Sequence, residues 1–526
     1  MKKTFLVLVL ALLSINNTEA ASVWAPWTNG PPTDPNFFPI VANYQHAYLI
    51  DEYDAMGMTV MDGLDYPGVN AATMLELKNR GMYLIGDIKD DTTWNYRNDP
   101  TYGKIIIGWG HITDEPDNYQ HLKIEFRGRR WPTTGHFHST ACVLPDTSST
   151  GVTKCPTVRR IPPVDFIDAY DYAKSLDSTR PILCYLGCGV AYDGWWGRGS
   201  APAGGWPAEY TEYCKGMDVP RFDVYPIAST TLGVEFLWYQ QLGLDRLKTY
   251  SSNLKPVSNI IETTKLAAPP AGLATPAQVR SQVWISLIYG ASMISYFLHE
   301  MYPDPITAGI FLHPEIVAEV TKINTQIKAL APVLNTANTV GKVTATSSTT
   351  VSIDIMVKEY NGFTYIFSAG MRNGSAVGTF TVSGLAADTL INVLGESRTI
   401  TAKSGYFTDS FVPWDVHIYQ FGSATSGGGT TNPLTIVRNY PNPISLSTGN
   451  KKARFDSIAV QDVKIDIYNS EGSLVRTVYE RDYGNMGTAE WDLKDTGGTM
   501  VAAGMYYFVV EDGNGNKKKG KLALVR

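Results

Sequence analysis

Two glutamates, Glu115 and Glu262, each stand just after an apolar run, and together they offer what cleavage of a glycosidic bond requires. One carboxyl group must be protonated to give its proton to the leaving oxygen. The other attacks the sugar carbon or activates water. Glu115 lies in Gly108-Trp109-Gly110-His111-Ile112-Thr113-Asp114-Glu115-Pro116-Asp117, directly after Lys104-Ile105-Ile106-Ile107. Glu262 closes the stretch Asn259-Ile260-Ile261-Glu262-Thr263. One such glutamate alone is more often a solvated loop acid, or a charge suited to a helix start. Two of them, at strands four and seven of one barrel, would face each other across its mouth.

Other residues fit the same site. Asp223 and Tyr225, in Arg221-Phe222-Asp223-Val224-Tyr225-Pro226, suit bonding to sugar hydroxyls or orienting a catalytic carboxylate; a capping aspartate and a core tyrosine are the competing reading. Tyr296 and His299 end the eighth strand and point to the same mouth, although a strand-end histidine is more often an ordinary loop residue. Trp109, Trp195 and Trp196 offer flat faces for the CH groups of sugars, against simple loop packing. His136 and His138 have one residue between them and no evident third ligand, so an ordinary loop is expected and no metal. No cofactor is expected either.

The elements that would position these groups follow from periodicity. From about residue 36 to 331, apolar strands alternate with amphipathic helices, the pattern of parallel β/α units. The strands are read at 37–44, 58–62, 82–88, 104–110, 181–187, 222–227, 256–262 and 292–298. Eight units in this length favour a closed (β/α)8 TIM barrel over an open sheet, and no glycine-rich dinucleotide fingerprint follows the first strand. Two long loops, 118–163 and 189–213, project over the face that carries Glu115, and long loops in a compact domain are usually functional or disordered. Past the helix at 314–334 the period changes to two. The chain therefore divides into a leader at 1–20, a catalytic barrel at 21–335, a small β-sandwich at 336–422, a Gly/Ser/Thr linker at 423–433, and a second all-β module at 434–526.

Composition bounds the reading further. At 526 residues the chain is too long for one core. Met1-Lys2-Lys3, an apolar stretch from Phe5 to Leu13, and Thr18-Glu19-Ala20 form the pattern of a signal peptide, which implies a secreted or cell-surface protein. No later apolar run reaches membrane length, so no transmembrane segment is expected. Removing Lys2, Lys3 and Glu19 from 44 basic and 50 acidic side chains leaves 42 and 49, a net charge of −7 that argues against a nucleic-acid partner. Of five cysteines, Cys142 and Cys155 are the expected disulfide, a closure worth up to about 3 kcal/mol. Cys184, on a core strand, is expected to be a buried thiol, and Cys188 is the candidate partner of Cys214.

With these residues in place, the region 36–331 resembles the clan A glycoside hydrolases, retaining barrel enzymes of the β-galactosidase-like superfamily. The resemblance rests on Ile112-Thr113-Asp114-Glu115-Pro116, on Ile261-Glu262-Thr263, and on Thr275-Pro276 through Gln282-Val283-Trp284 to Tyr296-Phe297. It implies that Glu115 is the acid/base and Glu262 the nucleophile of a double displacement on an oligo- or polysaccharide. Many clan members carry Asn before the acid/base, where it bonds the sugar 2-hydroxyl; Asp114 stands in that place here. The last segment is similar to the Ig-like C-terminal modules of secreted bacterial proteins, including type IX secretion sorting domains. The matching pieces are Tyr440-Pro441-Asn442-Pro443, Ile467-Tyr468-Asn469-Ser470-Glu471-Gly472, Trp491-Asp492 and Ala503-Gly504-Met505-Tyr506. That likeness implies outer-membrane secretion machinery as a partner, although a flagellar-hook-capping-like Ig module shares much of the pattern. The rivals to a retaining glycosidase are a carbohydrate-binding surface protein on a barrel scaffold and an inverting enzyme with water between its acids.

Overall fold

The computed structural model describes residues 22–65, 67–118, 125–126, 129–130, 160–195, 197–198, 201–202, 204–269, 271–422, 438–440, 444–445, 452–458, 463–479, 487–511 and 517–525. The leader at 1–20, His136, His138, Cys142, Cys155, Trp196 and the linker at 423–433 lie outside the described residues.

Eight parallel strands close into a barrel. They are β1 (Ile40–His46), β2 (Val60–Asp65), β3 (Tyr83–Asp87), β4 (Ile106–Gly110), β5 (Ile182–Leu186), β6 (Val219–Asp223), β7 (Val257–Glu262) and β8 (Ala291–Phe297). One helix follows each strand: α1 (Ile50–Ala55), α2 (Ala71–Arg80), α3 (Asp91–Tyr96), α4 (Pro163–Leu176), α5 (Gly205–Tyr213), α6 (Tyr239–Tyr250), α7 (Pro276–Ile288) and α8 (Pro314–Leu334). Closure is completed where β8 returns to β1, with Ile294 opposite Ile40 and Tyr296 opposite Ala42. Local chemistry fixes the helix ends. Asn70 caps α2 by accepting from the amides of Ala72 and Thr73, and Gly81 stops it in the left-handed conformation. Thr275 and Gln278 form a reciprocal capping box at the start of α7.

Strand alternation sorts side chains into two cores. Val41, Val60, Ile85, Ile107, Leu183, Val219 and Met293 fill the barrel interior together with Trp24. The outward residues pack under the helices. The interior is thus a plugged core, and the open mouth lies at the carboxyl ends of the strands.

Beyond the barrel, strands β9 (Val343–Ser347), β10 (Ile353–Tyr360), β11 (Phe363–Gly370), β12 (Ala376–Val382), β13 (Leu390–Val393), β14 (Arg398–Thr401), β15 (Tyr406–Phe411) and β16 (Val416–Gly422) form a three-stranded and a five-stranded sheet. This sandwich is fused to the barrel. Met356, Phe367 and Met371 belong to the same continuous core as the barrel helices. The ring of Phe367 stacks on Trp284 of α7 at 5.6 Å, and the Lys358 ammonium donates to the Leu334 carbonyl at 3.0 Å. The last segment has another pair of sheets, of three and five strands, closed over a separate core that includes Ile465, Ile467, Trp491 and Phe508. Among the described residues no helix is long and apolar enough to cross a membrane.

Candidate active site at the barrel mouth

The loop after β4 is pinned before it reaches its acids. His111 turns outward and stacks on Phe166 of α4 at 3.9 Å, and burial drives its pKa down to about 3, so it is a neutral packing group. The chain then continues alongside β5, where the Glu115 amide donates to the Tyr185 carbonyl at 2.9 Å. Glu115 itself sits at φ +42°, a left-handed conformation that costs a non-glycine residue energy and is held by its surroundings. Two residues on, Asp117 is buried and accepts the Gly187 amide and the Tyr210 hydroxyl, each at 2.8 Å. Asn118 packs against Gly187 so closely that a Cβ there would meet its amide nitrogen at 2.2 Å.

This frame brings Glu115 of the β4 loop within hydrogen-bonding reach of Asp223, the last residue of β6, so that each carboxyl group acts on the other. Burial pushes Glu115 up to about 7, aided by the charges of Asp114 and Asp117, while a hydrogen bond from Asn118 opposes the rise. Burial and Glu115 together hold Asp223 well above the ordinary carboxylate range. Two acids in contact cannot both ionise cheaply, so the pair carries one proton and one charge near neutrality. Asp114 has exposed surface on the mouth yet is ringed by protein; burial raises it and the Arg221 guanidinium lowers it. Arg221 rises from β6 inside the barrel, pairs with Asp62 of β2, and lies 3.8 Å from the Tyr185 ring centre. That buried cation offsets an otherwise acidic interior.

The expected site residues divide. Asp223 and Tyr225 are at the mouth: the charges of Asp223, Glu115 and Asp114 all act on the Tyr225 hydroxyl, and its ring lies 5.3 Å from Phe297. His299 is there too, half-buried, with its Nε2 3.1 Å from Gln45 Nε2. Trp195 lines the β5 loop and donates its indole N–H to Asn118 Oδ1 at 2.7 Å.

Others are elsewhere. Glu262 ends β7 as expected, but it is only 1% exposed and both of its oxygens are taken by backbone: Oε1 accepts the Ile227 amide at 3.1 Å and Oε2 the Ala228 amide at 2.9 Å. The acid that meets Glu115 is therefore Asp223, not Glu262. Trp109 points out of the barrel, packed on Trp94 at 5.1 Å with its N–H on Asp177. Tyr296 also points outward, to Asn324 of α8 at 2.8 Å, because Ser295 and Phe297 take the inward positions of β8. Cys188 and Cys214 do not pair: both are free thiols, as is the buried Cys184. Cys188 lies beside the acid pair and Cys214 beside Lys255. Asp62, Arg221 and Asn118 are site residues that sequence reasoning left out. Their signal was present, in an arginine standing inside a strand and an asparagine three residues after Glu115. Among the described residues no group of three His, Cys, Asp or Glu side chains is arranged to hold a metal ion.

No protein-family model matches the chain, and no curated protein sequence matches it. Solved structures do. An α-amylase of Geobacillus thermoleovorans complexed with acarbose is 12% identical, with 74% of this chain and 99% of that chain covered and a TM-score of 0.43. An Anoxybacillus α-amylase is 11% identical, over 75% and 100%, at 0.41. A GH30 endoxylanase from Clostridium papyrosolvens C71 is 9% identical, over 74% and 97%, at 0.36. At these scores the chemistry has to come from the residues themselves.

Proposed function

We propose that the protein is a glycoside hydrolase acting on an oligo- or polysaccharide, with Glu115 and Asp223 as its acid pair. What carries this reading is the pairing of Glu115 with Asp223 at the mouth of a closed barrel, two carboxyl groups that burial and neighbouring charges hold above the ordinary carboxylate range. Glycosidic cleavage needs two carboxyl groups, one of them protonated. Within the pair, Glu115 takes the acid/base role, since its loop is held at the rim by Asn118 and Tyr185. Asp223 is the attacking carboxylate once the shared proton has passed to Glu115. Its oxygen bonds to the anomeric carbon as the leaving oxygen takes the Glu115 proton; water, deprotonated by Glu115, then releases the sugar. Carboxyl groups in contact leave no room for a water between them, and inversion needs a separation of roughly 6.5–9.5 Å. The close pair therefore favours retention. The proposal extends to an extracellular place of action, which the pattern of residues 1–20 and the C-terminal module support.

The test is release of reducing sugar from a polysaccharide panel, with the product anomer read by NMR, for wild type, Glu115→Gln and Asp223→Asn. Retention, with Glu115→Gln active only on substrates with good leaving groups, supports the proposal. The reverse pattern exchanges the roles within the pair. No release by wild type, or wild-type rates in both variants, overturns it.

A further inference from the structure

Across the mouth from the acid pair, one aromatic ring is displayed at a cost. Tyr44, near the end of β1, is 52% exposed and holds φ +44°. A left-handed conformation is an outlier for a bulky aromatic residue and persists only where the surroundings impose it. They do so here. The neighbouring Gln45 is fully buried; its amide donates to the Asn43 carbonyl at 3.0 Å, meets His299 at 3.1 Å, and its oxygen accepts the Tyr53 hydroxyl. Gly63 of β2 lies beneath the ring, where a Cβ would stand 2.7 Å from Tyr44 Cδ2. Glycine at 63 thus keeps the space the ring occupies. Asp65, at the end of β2 and 3.6 Å from His46 Nδ1, and Asp87, at the end of β3 and accepting the Lys89 amide at 2.8 Å, lie near enough for their charges to act on the Tyr44 hydroxyl.

A flat exposed ring flanked by carboxylates suits one ligand chemistry: a pyranose, whose CH face packs on the ring while its hydroxyls donate to the acids. One face of this ring packs on Gly63 and its edge lies near His299, while half of its surface stays open to the mouth. We infer that Tyr44 is the stacking platform of a second sugar subsite on the β1–β3 side of the mouth, with Asp65 and Asp87 as hydroxyl acceptors. The substrate is then a saccharide chain long enough to span from β6 to β1. This inference rests on the glycosidase reading above.

The experiment compares wild type, Tyr44→Phe and Tyr44→Gly on hexasaccharides and disaccharides of glucose, xylose, mannose and galactose. It measures KM and kcat, together with melting temperature. Tyr44→Gly loses the ring but relieves the left-handed backbone, so it should raise KM for the hydrolysed hexasaccharide about tenfold without lowering the melting temperature. Tyr44→Phe should keep KM within about twofold of wild type. An unchanged hexasaccharide KM in Tyr44→Gly, or a rise matched by a drop in melting temperature, overturns the subsite while leaving the glycosidase reading standing. Wild type that hydrolyses no sugar on the panel removes both.

Discussion

The ends of β4 and β7 present the same residue type in the same kind of place, and burial pushes Glu115 and Glu262 alike to about 7. What differs is who satisfies them. The Glu262 oxygens accept two amides of the segment after β6, so its carboxylate ties that segment to the barrel and is closed to a ligand. Glu115 is met by the side chains of Asn118 and Asp223, one of which can exchange a proton. A raised pKa reports how costly the charge is. It does not report whether the group is free to react; the partners decide that.

The largest expected effect tests that distinction directly. Glu115→Gln should lower kcat by roughly 10²–10⁴-fold, the usual scale of lost proton transfer, and Asp223→Asn, which removes the attacking carboxylate, by at least as much, with melting temperature unchanged or higher in both. Glu262→Gln should keep turnover within about tenfold of wild type. Steady-state kinetics on the three variants decides. Abolished turnover in Glu262→Gln beside an active Asp223→Asn would return the nucleophile to β7.

Stability against pH gives the next contrast. Both glutamates are raised in the folded protein above an unfolded value of roughly 4.3. Their contribution is fully present below that value and is lost as pH rises through about 7, by at most about 4 kcal/mol for each acid. Urea midpoints should therefore fall between pH 5 and pH 8, and replacing either glutamate by glutamine should flatten the fall. For Glu262→Gln a second consequence follows. An NH₂ group must face one of the two amides, at a cost of about 1–2 kcal/mol at pH 5. That deficit should shrink by pH 8, where the native carboxylate bears its own burial cost. A pH-independent deficit would mean that Glu262 does not titrate in this range.

The sequence made the barrel legible because β-branched runs and amphipathic helices repeat at the barrel's spacing, and the observed strands differ from the expected ones mainly at their ends. The sixth strand slipped most: it runs Val219–Asp223 rather than 222–227. Arg221 breaks the apolar pattern there, and the reason, its pairing with Asp62 across the barrel, is invisible in one dimension. Trp109 and Tyr296 were placed at the mouth by residue type, although strand alternation turns both toward the helices. What surrounds Glu262 is hidden from the sequence for a different reason. Its partners are backbone amides on another element, and no residue type announces those. The sequence leaves Asp223 between bonding sugar hydroxyls and orienting a catalytic carboxylate; the fold brings it beside Glu115.

The smallest expected effect concerns what holds Glu115 in place. Trp195 is half-buried and donates to Asn118 Oδ1 at 2.7 Å, while the hydrogen bond from Asn118 keeps the Glu115 pKa from rising further. The indole thus acts on the acid through one intermediary. In Trp195→Phe the ring remains and the N–H is lost, so Asn118 is less firmly oriented and the Glu115 pKa should climb. The limb of the kcat/KM profile that reports the acid pair should move to higher pH by about half a unit, with kcat changed less than about threefold. Trp195→Ala removes the ring as well. If the ring also stacks on a sugar, KM rises in Trp195→Ala and stays put in Trp195→Phe, since stacking helps ground state and transition state alike. A profile unmoved in Trp195→Phe would show that Asn118 is held by its packing on Gly187 alone. The Glu115 pKa would then be set by burial, which raises it, and by Asp223, which lowers it, and that would sharpen the contrast with Glu262.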